Sequence, residues 1–303
     1  MKLKLVLALA TTIVFAGTGC SRNRQEAVIL ANQADKEVQL NPEGASAKSE
    51  QATKLDPTNH QIFFKLANAY KKKEEWDKMA SALSRAAQLA PKFANYWFWR
   101  GWALEQQARK KTIQWEEAKE PYTKCIETDP NFADCYSQLG TVMLFTDDEQ
   151  KALENYTKAI EHDPTQIRYF ASLADLYIRL GYVKEAEQVL KDAKGFAKPN
   201  DKMLYGVHVL LSQVYQEREQ VNEMVTELEA AKAVVGNEGS EAVQILFNLG
   251  STYAQLKPPR TQEAIQMLKG FTQRACKGAK SAQYKTECET SQSLVARLGG
   301  TMQ

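Results

Sequence analysis

ADCYSQLGTVMLFTDDEQKALENYTKAIEHDPTQ, residues 133–166, runs directly into IRYFASLADLYIRLGYVKEAEQVLKDAKGFAKP, residues 167–199, and the two lines align without a gap. Tyr136 falls on Phe170, Leu139-Gly140 on Leu173-Ala174, Met143 on Tyr177, Ala152 on Ala186 and Tyr156 on Leu190. Matched positions within a line lie three and four residues apart, the period of a helix and not of a strand. Each line therefore predicts two helices. The first carries a large apolar stripe interrupted by a small residue; the second carries a small residue followed one turn later by a bulky one.

The same marks continue in both directions. Small residues at Ala67, Gly101, Gly140, Ala174, Ser212 and Gly250 are spaced 34, 39, 34, 38 and 38 apart. Four residues before them stand Phe63, Trp97, Tyr136, Phe170, His208 and Leu246; three residues after them stand Tyr70, Leu104, Met143, Tyr177, Tyr215 and Tyr253. The second helices are marked by Met79 and Leu83, Ala118 and Tyr122, Ala152 and Tyr156, Ala186 and Leu190, Met224 and Leu228, Ala264 and Leu268. Pro57, Pro91, Pro130 and Pro164 close the early units.

This pattern resembles the tetratricopeptide (TPR) repeat, W-x-x-L-G-x-x-Y, then A-x-x-x-F, then P. The resemblance implies an all-α, right-handed solenoid of antiparallel helix pairs. About six repeats would fill residues 58–275, with a degenerate capping repeat in 20–57 and a capping helix from about Lys280 to Leu298 in the 276–303 tail. The second unit departs from the pattern. Pro121 lies where its second helix should run and predicts a kink or a split, and Gln106–Gln114 is longer than the repeat requires.

The chain begins with a different kind of segment. Lys2 and Lys4, the apolar run Leu5–Ala16 and the small residues Gly17, Thr18 and Gly19 read as an export signal over residues 1–19. Phe15-Ala-Gly-Thr-Gly-Cys20-Ser21 resembles the lipobox of bacterial lipoproteins, although Gly17 stands where that family usually has an aliphatic residue. The resemblance implies lipid on Cys20, membrane attachment through it, and an outer-membrane location facing the periplasm. The other reading is ordinary cleavage before Cys20.

Without residues 1–19 the 39 basic and 37 acidic side chains become 37 and 37, since only Lys2 and Lys4 are lost. A near-neutral chain does not suit nucleic acid, and Lys71–Lys73 and Arg109–Lys111 read as solvated helix ends. There are 3 histidines, His60, His162 and His208, each with a structural explanation, and no H-E-x-x-H, G-x-S-x-G or phosphate-binding loop. No cofactor, metal or catalytic residue is expected, and the chain is not read as an enzyme.

Register in the repeat places the other cysteines. Cys125 occupies a close-packed site on a second helix and Cys135 lies at the start of the next; Cys276 and Cys288 would join the last repeat to the capping helix. Either pair is a disulfide or two buried thiols, and an exported chain with cysteines in close pairs favours the former. In TPR proteins the concave surface is lined one and five residues beyond the Trp/Phe position, which implies Phe64 and Asn68, Phe98 and Trp102, Ser137 and Thr141, Ala171 and Asp175, with Lys72, Phe145 and Arg179 one turn further. In Tyr96-Trp97-Phe98-Trp99-Arg100-Gly101-Trp102, Trp97 belongs to the core by register; Phe98 and Trp102 either anchor a peptide or are covered by neighbouring segments.

These readings converge on a non-catalytic scaffold holding an envelope protein or peptide. Envelope lipoproteins with such repeats include pilotins that escort the type IV pilus secretin, accessory factors of outer-membrane barrel assembly, and adaptors for peptidoglycan hydrolases; the first is nearest in size and repeat number. The alternative is a structural homo-oligomer in which a second copy fills the groove.

Overall fold

The computed structural model describes residues 22–198, 201–236 and 239–301, and these are helix and turn with no strand. The predicted signal segment 1–19 and Cys20 lie outside the described residues. No described helix is long and apolar enough to cross a membrane. The chain divides into two units, Met1–His162 and Asp163–Gln303.

The first unit holds four helix pairs: α1 (22–37) with α2 (Pro42–Leu55), α3 (His60–Lys72) with α4 (Trp76–Leu89), α5 (Ala94–Arg109) with α6 (Lys119–Thr128), and α7 (Ala133–Phe145) with α8 (Glu149–His162). Turns of a few residues force the members of a pair to be antiparallel. The capping pair packs through small residues. Ala27 and Ala31 meet Ala52 and Ile62, and Ala34 and Val38 meet Ala45 and Ala69.

Asp-Pro turns end several units. Asp56 Oδ1 accepts the Thr58 N–H, Asp129 Oδ1 the Asn131 N–H, and Asp163 Oδ1 the Thr165 N–H. The following proline cannot extend the preceding helix, and the aspartate fixes the turn that starts the next one. Glycines sit where paired helices come closest. A Cβ on Gly101 would stand 2.8 Å from the Tyr122 ring, and one on Gly140 2.9 Å from Tyr156.

Pro121 has a different effect from an interior kink. The segment is split into a 3-10 turn, Trp115–Ala118, and α6, in whose first turn Pro121 falls. A first-turn N–H has no intrahelical acceptor, so proline costs nothing there. The extra residues before it lengthen α5 to 16 residues and form the loop to the 3-10 turn.

The second unit holds α9 (Ile167–Arg179) with α10 (Val183–Phe196), α11 (Leu204–Glu217) with α12 (Val221–Val235), α13 (Gly239–Gln255) with α14 (Thr261–Ala275), and then α15 (Lys285–Arg297). α15 starts later than the sequence implies because Gly278–Ala282 forms a 3-10 turn first. It packs on both α13 and α14, as the first helix of a further pair would. Leu190, Leu211, Leu228, Leu268 and Phe271 are all fully buried.

The cysteines are joined as Cys125–Cys135 and Cys276–Cys288. One bridge links α6 to α7, and the other ties α15 to the end of α14.

A candidate peptide groove

The aromatic side chains that the repeat register points to in the first unit pack against other rings of that unit. Phe98 is only 9 % exposed, packed against Phe132 at 5.3 Å and Tyr122 at 6.1 Å between ring centroids. The cover comes from α6 and the turn before α7, so Phe98 is a core residue and not a groove contact. Its neighbour Trp97, assigned to the core, is the less buried of the two and donates its indole N–H to the Pro91 carbonyl at 3.0 Å.

Trp102 is half-buried, edge-on to Trp76 and Trp99 at 5.3 and 5.5 Å. The Lys71 ammonium lies 3.7 Å above the Trp99 ring, and burial followed by the neighbouring Lys72 charge depresses its pKa. Phe64 leans on Tyr96 at 5.3 Å, Asn68 is half-buried, and Lys72 is exposed. Phe145 keeps half its surface but stacks on Trp115 at 4.1 Å, with the Arg109 guanidinium beside both rings. Arg109 is held in turn by Glu105, whose buried carboxylate accepts the Tyr122 hydroxyl at 2.9 Å.

Thr141 shares a hydrogen bond with Tyr156, and Ser137 is buried. Ala171 is half-buried, while Asp175 and Arg179 pair with each other at 2.9 Å across one exposed turn. None of these positions lines the two cavities of the second unit.

The second unit holds a cavity of about 660 Å³ along α11, α13 and α15. Val209, Met224, Phe247 and Leu294 make its apolar floor; Gln213, Gln216, Gln244, Asn248 and Gln255 supply amides, and Thr290 and Arg297 close the α15 side. The Gln244 side-chain N–H donates to Asn248 Oδ1 at 3.2 Å, which lines up two amides along α13. The Ser251 hydroxyl is shut off from solvent and has no partner among the described residues. A second cavity of about 550 Å³ shares Gln216, Met224 and Gln255 with the first and extends past Glu219 and Lys257.

This lining follows the register rule stated for the family. One and five residues beyond His208 are Val209 and Gln213; one and five beyond Leu246 are Phe247 and Ser251. The rule applied to the last two repeats reaches the cavity, whereas the residues nominated above stop at the fourth.

Next to the groove in sequence is a polar cluster centred on the buried Glu227 carboxyl. Beside Val209, the Nδ1 of His208 is 2.5 Å from Glu227 Oε2, and Lys194 Nζ is 3.0 Å from Oε1. Burial alone would raise the Glu227 pKa, but the His208 and Lys194 hydrogen bonds outweigh it and hold the carboxyl below its ordinary value. His60 bonds Tyr96 at 2.6 Å, and His162 stacks on Tyr136. Among the described residues no group of three or more His, Cys, Asp or Glu is placed to hold a metal.

Residues 167–199 match the family model described as Tetratricopeptide repeat. The C-terminal part of a TPR repeat-containing protein from Cytophaga hutchinsonii superposes with a TM-score of 0.61 at 15 % identity, covering 84 % of this chain and 98 % of that one. PilF of Pseudomonas aeruginosa gives 0.54 at 17 % identity, covering 73 % and 97 %. MamA of Desulfovibrio magneticus gives 0.50 at 17 %, covering 56 % and 94 %. These likenesses establish an all-helical fold of TPR type. No curated protein sequence matches the chain.

Proposed function

We propose that this chain is a non-catalytic adaptor that holds an extended segment of another protein in the groove along α11, α13 and α15. The observation that carries the reading is the lining itself. An apolar floor receives alternate side chains, while side-chain amides, each with a donor and an acceptor, match the N–H and C=O groups of a peptide main chain.

The chain's setting in this reading is the periplasmic face of a bacterial outer membrane, with lipid on Cys20 as anchor. Two closed cysteine pairs agree with an oxidising compartment. The segment held would belong to an envelope machine, with pilotin-like service to a type IV pilus secretin as the leading candidate on size and repeat number. Metabolic labelling with palmitate, lost in Cys20→Ser, tests the anchor.

The adaptor role is tested by crosslinking from intact envelopes, comparing the native chain with a Gln213→Ala, Asn248→Ala variant. Recovery of one envelope protein through a segment mapped to the groove, and its loss in the variant, supports the adaptor. Recovery of the chain alone would favour a self-filled oligomer, and mass in solution would then show it.

A further inference from the structure

We infer that the groove selects an acidic side chain, aspartate or glutamate, inside the segment it holds, and that Arg297 is the residue that reads it. This rests on the groove being a peptide site. Arg297 lines the larger cavity from the last turn of α15 and makes no ion pair with any described residue. In the same unit Arg179, Arg218 and Arg260 are each held by a carboxylate. No acidic side chain lines that cavity, so its one charge is an unmatched guanidinium set among neutral amides. A guanidinium fork fits a carboxylate with two parallel hydrogen bonds, and the bond is stronger beside an apolar floor than in open water.

The acid belongs within the segment and not at its end. The groove does not stop where the larger cavity does, because the second cavity shares Gln216, Met224 and Gln255 with it. A chain lying across Arg297 therefore has room to continue, and Glu219 and Lys257, of opposite charge, line that continuation.

The test uses the full chain on an array of nonapeptides acetylated at one end and amidated at the other, so that the only carboxylates are side chains. Retained peptides are expected to carry Asp or Glu. In solution, Glu→Gln in the best of them should weaken binding roughly tenfold. Arg297→Gln should remove that difference while binding the Gln peptide as the native chain does. Arg297 is exposed, so the variant should melt as the native chain does. Equal affinity for the Glu and Gln peptides, or retention only of peptides with a free C-terminal carboxylate, overturns the inference and leaves the groove reading standing. Retention of no peptide overturns both.

Discussion

The first helices of the two units are built from opposite materials. Between Tyr96 and Trp102, α5 carries five aromatic residues, while α11 and α13 set glutamines, an asparagine and serines along the corresponding face. In the first unit the rings cover one another. Phe98 lies on Phe132, Trp102 on Trp76 and Trp99, and Phe145 on Trp115. Large rings on neighbouring helices reach one another and bury their own surface, whereas amide side chains lie along the helix and leave a trough between them. A run of aromatics in such a repeat therefore marks packing between pairs, and a run of amides marks the face left open.

The sharpest way to break this contrast is Phe98→Ala. If Phe98 is core, its loss should cost about 3 kcal/mol of stability, from lost burial plus the cavity left behind. Chemical denaturation followed by tryptophan fluorescence reads this, and peptide binding in the other unit should be unchanged. A variant that keeps its stability and loses a partner would return Phe98 to the groove and reverse the contrast.

A smaller effect, about 2 kcal/mol at pH 7, is expected for Glu227→Gln, which weakens the charge-assisted bonds to His208 and Lys194. The sign of the pH dependence follows from the depressed Glu227 pKa. Its stabilisation is fully present above the unfolded carboxyl value, about 4.3, and is lost as pH falls through the lower folded value. Native and variant stabilities should therefore converge as pH drops below about 4, and stay apart near neutrality. Curves that run parallel down to acid would show that the Glu227 cluster contributes nothing.

Gly140→Ala should come next, at about 1 kcal/mol. The new Cβ would meet the Tyr156 ring at 2.9 Å and the Ala152 carbonyl at 3.3 Å, and the ring is held by its bond to Thr141. Crowding of this kind costs about 1–3 kcal/mol, and alanine's better helix propensity returns roughly 1. The same change at Gly195, where a Cβ meets nothing within 4 Å, should raise stability instead. Thermal melts of the two variants read the difference.

The repeat was legible because each mark obeys a local constraint. A small residue is required where two helices touch, and an Asp-Pro turn closes the pairs that end at Leu55, Thr128 and His162. Cysteines in close-packed positions on successive helices could be paired for the same reason. What escaped depends on how one pair covers the next. Phe98 is buried by Phe132 and Tyr122, residues 34 and 24 positions away that no period in α5 reveals. Trp115 reaches Phe145 from the 3-10 turn that precedes α6, a turn the repeat pattern does not contain. The groove was within reach of the register rule at Val209, Gln213, Phe247 and Ser251. Polar residues with no charge gave no chemical mark of their own, and the residues taken from the rule stopped at the fourth repeat.

The smallest change in stability is expected for Asn248→Ala, and that smallness is informative. Asn248 is half-buried, and the side-chain bond it would lose is the one from Gln244. Alanine is the better helix former by a few tenths of a kcal/mol, so the net effect should stay within about 0.5 kcal/mol. A residue kept for folding would not be so cheaply replaced. Peptide affinity should nevertheless fall, by roughly fivefold, because an amide that donates and accepts along a main chain has no substitute in a methyl group. Isothermal titration of the array-selected peptide separates the two readings of Asn248. Lost affinity with intact stability identifies the amide face as a binding surface, while unchanged affinity would make the open trough of the second unit a by-product of small side chains.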